Sequence, residues 1–340
     1  MQAISDIHQS TQCSVYSVAG RSILVEAQDQ WAAEAIEKLF ASWYLTPEIT
    51  TRAEPARMRL VIRSTAPPPQ IPEGWQQFQI AGGGVCSTDG NSSYIDIEGS
   101  IIAISAAGFA AVEVWAKGPL DVRSPVLTRI MTYALAAVLR RCGLFELHSG
   151  AVVEPQSGNG VLIIGPSGSG KSTLTVQLAA AGWPFLTDDV LALSDEGADI
   201  RAWPLRRCFA ITSETFASSN FLKLRTSLDY LKTQTDDKKQ FVPHDVFGAG
   251  FKEYCAPRAL FFSQIRSEPS SNVSLLAPGE TMARLIRMNP WSCYDQATAA
   301  DHLAVLSALV KQSRGYVLLA GKDLLDPDTA AKMIANYAQD

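Results

Sequence analysis

The segment GPSGSGKS at residues 165–172 constrains this chain more than any other, because it fits the pattern G-x-x-x-x-G-K-[ST]. The apolar run VLII leads into it, and the helix-like segment TLTVQLAAAG follows it. A strand is therefore expected to deliver the loop to the first turn of a helix. Glycines let successive backbone N–H groups converge on one anion, and the positive end of the helix adds to their field. The segment predicts a phosphate-binding loop.

Such a loop implies a bound nucleotide, and we expect ATP with Mg²⁺. Lys171 would reach the β- and γ-phosphates, and Ser172 would ligate the metal. A glycine-rich turn that binds nothing is the alternative, which the flanking strand and helix disfavour. The residues expected to surround the nucleotide are Gly165, Pro166, Ser167, Gly168, Ser169, Gly170, Lys171, Ser172 and Thr173.

Two adjacent carboxylates follow the loop in the segment PFLTDDVLAL, where Asp188 comes sixteen residues after Ser172. The aspartates follow an apolar strand, which is expected to return beside the strand that feeds the loop, with both carboxylates at its phosphate end. Asp188 would help to hold Mg²⁺, and Asp189, on the other side of the extended chain, would accept a hydroxyl proton. A turn whose aspartates cap a helix or face solvent is the alternative.

A histidine in the run LHSGAVV is the third candidate. A lone histidine in an apolar strand is usually a hydrogen-bonded core residue. A hairpin through PQSGNG, however, would set the His148 strand beside the strand that feeds the loop. The imidazole could then stabilise charge on a transferring phosphoryl group or orient Asp189.

The 340 residues suit one large domain with a smaller one. Alternating runs punctuated by Gly, Asn and Asp predict a small N-terminal α+β module over residues 1–120. The module has no phosphate or metal motif, so it is expected to position a substrate or partner. Strands and helices alternate over residues 121–340, which predicts an α/β domain, with a mobile polar loop at 226–250.

Composition restricts the partners and the compartment. A net charge of −5 gives no broad basic surface for nucleic acid. No apolar run approaches the ~18 residues of a membrane-spanning helix, and the six cysteines form no C-x-x-C pair. We therefore expect a cytoplasmic protein that binds neither nucleic acid nor a membrane. A homo-oligomer is compatible with the sequence.

These motifs together resemble the core of the bacterial HPr kinase/phosphorylase family, in which a His-Gly strand, a phosphate-binding loop and an Asp-Asp strand recur in this order. The resemblance covers roughly residues 145–193. It implies an α/β phosphate-loop kinase core of the phosphoenolpyruvate-carboxykinase-like type with a mixed sheet. It also implies catalytic roles for His148, Lys171, Asp188 and Asp189, and a metal held by Ser172 and Asp188.

The chain departs from that family after residue 193. The E-x-R-G-L-G-type segment that helps to form the HPr site has no match, and the corresponding stretch reads PLRRCFAITSETF. HPr is therefore not the expected substrate. The layout looks more like HPr-kinase-related enzymes of peptide biosynthesis, including those that phosphorylate the C-terminal serine of lasso-peptide precursors. In such relatives a basic residue approaches the phosphates, and Lys238, Lys239 or Arg258 could serve.

The sequence thus predicts an ATP-dependent kinase that phosphorylates a serine hydroxyl of a peptide or protein. A small-metabolite kinase is one alternative, although those enzymes usually carry the loop near the N-terminus. A non-catalytic, nucleotide-dependent binding protein is another. Which aspartate acts as the base, and whether phosphorolysis also occurs, stay open at this level.

Overall fold

The described residues fall into two compact units, one formed by those of Met1–Cys142 with Tyr294–Thr298 and the other by those of Gly143–Cys293 with Ala299–Asp340. The computed structural model describes residues 11–41, 43–47, 58–63, 67–80, 83–104, 111–117, 124–218, 231–232, 238–248 and 250–339.

Among the described residues, the first unit contains nine strands: β1 Gln12–Val18, β2 Arg21–Ala27, β3 Thr46–Pro47, β4 Met58–Arg63, β5 Gln76–Gln79, β6 Val85–Thr88, β7 Ser93–Ile97, β8 Ser100–Ile104 and β9 Ala111–Trp115. They form a mixed sheet in the order β3-β1-β2-β4-β9-β8-β7-β6-β5. The segment VYSVAGRSILVEA predicts a pair of short strands, and these are β1 and β2, joined by a turn in which Ala19 and Gly20 have positive φ. With helix α1, Gln30–Ala41, this sheet forms an α+β unit.

The Ser124-Pro125 pair predicts the start of a helix, and helix α2, Pro125–Arg141, begins there. The Ser124 hydroxyl accepts the N–H of Val126, and the proline lies in the first turn, where it loses no hydrogen bond. The helix contacts β4, β8 and β9. It belongs to the unit that ends at Cys142, whereas the expected boundary lay after residue 120. The later division follows because the apolar face of α2 packs against the strands of the first unit.

A buried ion-pair cluster lies in the first unit, at the C-terminal end of α2. Asp295 accepts hydrogen bonds from Nε of Arg140 at 3.1 Å and from Nη1 and Nη2 of Arg141 at 2.9 and 3.1 Å. All three side chains are nearly excluded from solvent. Burial by itself raises the pKa of Asp295, but Arg141 and Arg140 outweigh it and hold that pKa below its usual range. Each buried charge in the cluster would therefore destabilise the fold if its oppositely charged partner were removed.

The strands of the second unit are β10 Phe145–Leu147, β11 Ser149–Val153, β12 Gly160–Ile164, β13 Phe185–Thr187, β14 Leu191–Asp195, β15 Ile200–Pro204, β16 Phe209–Thr212, β17 Leu231–Lys232, β18 Lys238–Phe241, β19 Pro257–Ile265, β20 Asn272–Leu275 and β21 Arg314–Ala320. The helices are α3 Lys171–Ala180, α4 Ser213–Ser218, α5 Pro243–Phe247, α6 Pro278–Met288, α7 Trp291–Tyr294, α8 Gln296–Gln312 and α9 Pro327–Ala338, with a 3₁₀ turn at Lys322–Leu325. Helix α8 begins in the segment that belongs to the first unit.

The central sheet of the second unit is mixed, as the resemblance implies. Its order is β13-β11-β12-β19-β21-β20, with β12, β19 and β21 parallel and the other pairs antiparallel. Consequently the start of β11 and the ends of β12, β13 and β19 lie at one edge. We call this the loop edge, since the segment 165–172 leaves β12 there.

The two aspartates of PFLTDDVLAL follow a strand, as predicted, but the segment as a whole is not one strand. β13 ends at Thr187, and β14 begins at Leu191 in another sheet of order β10-β14-β15. In addition, β13 pairs with β11 and not with β12, so it lies one strand further from the loop strand than expected. Asp188 and Asp189 form the bend between the two sheets.

The C-terminal elements agree closely with prediction. The sequence predicts helices over residues 297–311 and 327–337, and these are α8 and α9. Parts of the predicted loop at 226–250 lie outside the described residues, and β17, β18 and α5 occupy the parts that are described. No helix within the described ranges is long and apolar enough to cross a membrane.

Replacing Asp295 with alanine is expected to lower the free energy of unfolding by about 3–5 kcal/mol, because two buried guanidinium groups lose their carboxylate. Urea denaturation followed by circular dichroism measures this. Asp301→Ala is the matched control, since Asp301 lies on α8 and is exposed. A loss no larger for Asp295→Ala than for Asp301→Ala would show that the cluster does not stabilise the first unit.

Candidate functional site

The loop between β12 and α3 is held in its curled form by glycine and by β19. Gly168 and Gly170 have φ of +80° and +89°, a region that other residues rarely adopt. At Gly165 an added Cβ would lie 2.5 Å from the Ser169 hydroxyl, so the chain turns too tightly there for a side chain. The hydroxyl of Ser263, near the end of β19, donates to the carbonyl of Ser169 at 2.8 Å. The loop therefore has one defined shape.

Lys171 begins helix α3 and turns back over the loop. Its ammonium group donates to the carbonyl oxygens of Gly165 and Pro166, both at 2.9 Å, and the side chain is buried. The positive charge thus lies within the curl of the loop, beside the first turn of the helix. An anion in the loop would meet a cation and a helix N-terminus together.

Strand register brings His148, Asp189 and Arg206 together. In the sheet β10-β14-β15, Leu147 and Pro204 both pair with Leu191. His148 follows Leu147, Asp189 precedes Leu191 by two residues, and Arg206 follows Pro204 by two. Because these pairs are antiparallel, the three side chains emerge at one end of the sheet.

Asp189 is the centre of this group. Its Oδ1 lies 3.3 Å from Nδ1 of His148, and its Oδ2 lies 3.6 Å from Nε of Arg206. The His148 side chain is 42% exposed and that of Asp189 is 30% exposed, so both are accessible from solvent. His148 is therefore not the core histidine of the alternative interpretation. Arg206 was not a candidate from sequence, because only the strand pairing shows that the RR pair after β15 lies beside Asp189.

Asp188 is completely buried, in contrast to its neighbour. Its Oδ2 accepts the N–H of Ala210 at 3.0 Å, and its Oδ1 has no hydrogen-bond partner among the described residues. The Ser172 hydroxyl, in the first turn of α3, donates to the Asp188 carbonyl at 3.4 Å. The bend thus reaches the start of the helix that follows the loop.

Burial raises the pKa of the Asp188 carboxyl from 3.8 to about 7, and the charge of Asp189 adds to the rise. The N–H of Ala210 opposes this rise without cancelling it. A buried carboxylate with an unused oxygen is thus costly by itself, and a nearby cation would stabilise it.

The donor atoms at this bend fit Mg²⁺. No group of three or more His, Cys, Asp or Glu residues suited to a metal occurs in the described part of the chain. Mg²⁺, however, commonly uses one or two carboxylates, waters and substrate phosphates instead of a complete protein cage. Asp188 and Ser172, next to the loop, could supply that limited set.

The three basic candidates differ in their placement. Arg258 lies at the start of β19 and donates to Asp199 at 2.8 Å. The loop lies at the opposite end of β12, which runs parallel to β19, so Arg258 cannot approach the loop and that prediction is wrong. The backbones of Lys238 and Lys239 pair with Thr212 and Ile211 on β16, while their side chains lie outside the described set.

A set of threonine hydroxyls links the loop helix to β16. Thr173 Oγ1 lies 2.8 Å from Thr215 Oγ1, which lies 3.0 Å from Thr212 Oγ1. Thr173, expected to touch the nucleotide, is therefore engaged with α4. The stretch PLRRCFAITSETF, which includes Arg206 and Thr215, thus borders both the loop helix and Asp189.

Neither a family model nor a curated protein matches the chain. Among solved structures, the HPr(Ser) kinase/phosphatase from Coxiella burnetii is similar over 56% of this chain and 94% of its own length, with 14% sequence identity and a TM-score of 0.29.

The metal-free protein is expected to lose stability as the pH rises. The raised pKa means that folded Asp188 keeps a proton which the unfolded chain releases near pH 4, so the loss develops between about pH 4 and 7 and then levels off. In EDTA, the free energy of unfolding of wild type should fall by about 2–3 kcal/mol more between pH 5 and pH 8 than that of Asp188→Asn. Urea unfolding at the two pH values measures this, and parallel profiles for the two proteins would contradict it.

Proposed function

We propose that this chain is an ATP- and Mg²⁺-dependent kinase that transfers the γ-phosphoryl group to a serine hydroxyl of a peptide or protein. One observation carries the proposal. A curled loop that contains a buried lysine opens on the same sheet edge as two aspartates, one buried and one accessible. Phosphoryl transfer needs a phosphate cradle, a metal ligand and a group for the acceptor proton, and this edge supplies a candidate for each.

The loop and Asp188 form the nucleotide side of the proposed site. The backbone N–H groups of the loop and Lys171 hold the phosphates and offset their charge. Ser172 and Asp188 are the residues that would hold Mg²⁺, which when bound would neutralise charge on the β- and γ-phosphates. The unused Oδ1 and the raised pKa of Asp188 support this role, because a carboxylate in that position gains most from a cation.

Asp189 forms the acceptor side. Its accessible carboxylate would take the proton from the serine hydroxyl as the oxygen attacks phosphorus. His148 and Arg206 contact different oxygens of this carboxylate, so they fix its orientation. The partly exposed imidazole could also stabilise charge on the transferring group.

For the acceptor, we propose a peptide other than HPr, with the C-terminal serine of a lasso-peptide precursor as the specific candidate. The sequence lacks the HPr-binding signature, and PLRRCFAITSETF borders Asp189 in its place. The first unit, with its long sheet, would position the acceptor or a partner. We further propose that the protein acts in the cytoplasm.

Incubation with ATP, Mg²⁺ and candidate peptides tests the kinase assignment. Mass spectrometry should show peptides that gain one phosphate while ADP forms in equal amount. Transfer to a sugar or another small alcohol instead would favour a small-metabolite kinase. Tight ATP binding without transfer to any hydroxyl would favour a non-catalytic binding protein, and either result would overturn the proposal.

Asp189→Asn should reduce kcat by roughly 10²-fold or more with little change in ATP affinity. The asparagine amide has about the size of the aspartate carboxylate, but it cannot take a proton. Steady-state kinetics and calorimetry measure the two quantities. Lys171→Ala is the contrasting variant, since it removes a cation from the phosphates and should weaken ATP binding as well. If Asp189→Asn turned over normally, Asp189 would not be the base.

His148→Gln should lower kcat by roughly 10-fold or more, because a histidine that orients the base acts on the chemical step. The amide nitrogen of glutamine lies nearer the position of Nε2 than that of Nδ1, so the contact with Asp189 is lost, whereas folding should be unaffected because the side chain is 42% exposed, as circular dichroism can verify. His244→Gln is the control, since His244 lies on α5 and is exposed. Equal turnover of the two variants would exclude His148 from catalysis.

A further inference from the structure

A cavity of about 360 Å³ opens beside the loop, within the second unit. Loop residues 165–169 form one wall, and residues 262–265 at the end of β19 form the floor. Arg284, Arg287 and Met288, from the last two turns of α6, complete it. Its volume falls in the range of small-ligand sites, roughly 300–1,000 Å³.

The cavity and the two aspartates lie on opposite sides of the loop. Along the loop edge, β13 with Asp188 comes first, then β11, then β12 with the loop, then β19 with the cavity. Three strand spacings separate β13 from β19, about 14 Å. A ligand that reaches from the aspartates to the cavity must therefore be elongated, and it must carry its phosphate groups in the middle, where the loop is.

The cavity walls suit a flat, largely apolar group. Ile265 is 62% exposed although it is apolar, and its Cγ1 would lie 3.2 Å from a Cβ placed on Gly170. The Arg284 guanidinium lies 5.7 Å from the Phe262 ring centre and 3.0 Å from Glu280, so its plane is fixed. Arg287 is exposed and makes no ion pair within the described part of the chain. Guanidinium planes stack well on aromatic rings, and apolar side chains cover their faces.

We infer that this cavity binds the nucleoside part of the nucleotide, with the base against Ile265 and Met288 and within reach of Arg287. The inference rests on the proposed function, since it assigns the phosphates to the loop. The nucleoside is the group that distinguishes ATP from a bare polyphosphate. In this arrangement the γ-phosphate of the bound ATP lies toward Asp189 and the base toward α6.

The test compares Mg²⁺-ATP with Mg²⁺-tripolyphosphate, which has the same phosphate chain and no nucleoside, by isothermal titration calorimetry. Two variants alter the cavity without a change of charge. Ile265→Ser removes an apolar wall, and Gln264→Trp places an indole in the space; both residues are exposed, so folding should survive. Leu275→Ser is the matched control, because Leu275 is 69% exposed on the edge strand β20 and does not line the cavity.

Wild type should bind ATP at least about 10-fold more tightly than tripolyphosphate. Each cavity variant should weaken ATP binding by about 5- to 10-fold and leave tripolyphosphate binding within about 2-fold, while Leu275→Ser changes neither. Equal affinity of wild type for the two probes, or equal weakening of both by the variants, would overturn the nucleoside site and leave the phosphate loop intact. If neither probe bound wild type, the proposed nucleotide-binding function would fail, and this inference with it.

Discussion

The antiparallel pairing of β11 with β12 is the constraint on which the candidate site depends. It places Ser149 opposite Ile164, so the chain enters β11 at the edge where it leaves β12 for the loop. His148 is consequently beside the loop edge, and β13, paired with β11, ends there too. A shift of one residue in this pairing would turn every side chain of β11 to the other face of the sheet. The register therefore fixes both the loop and the position of its catalytic candidates.

Two consecutive aspartates acquire different chemistry at this edge because the chain bends between two sheets. Asp188 points inward to the N–H of Ala210, and burial raises its pKa to about 7. Asp189 points outward between His148 and Arg206. Equivalent side chains placed in unlike surroundings are a common way to separate two roles in one site. In the proposed mechanism the buried Asp188 is therefore the metal ligand and the accessible Asp189 the proton acceptor, a division of roles that the sequence left open.

Much of the local structure could be predicted because it depends on neighbouring residues. The glycine spacing at Gly165 and Gly170 predicts the loop, and the Ser124-Pro125 pair predicts the start of α2. The turn in PQSGNG predicts the hairpin that brings His148 to the loop strand. In each case the pattern lies within one turn or one hairpin, where capping, backbone conformation and apolar periodicity act over a few residues.

The sequence by itself therefore determined the glycine-rich loop at residues 165–172, the candidate residues around it and most helices and strands. Only the tertiary structure decided strand order, since pairing between distant segments depends on how whole faces pack. Strand order put β13 next to β11, set Arg206 beside Asp189 and placed Arg258 at the far end of β19 from the loop. Packing of its apolar face likewise joined α2 to the first unit. Sequence motifs thus identify the candidate residues, whereas long-range packing decides which of these residues contact one another.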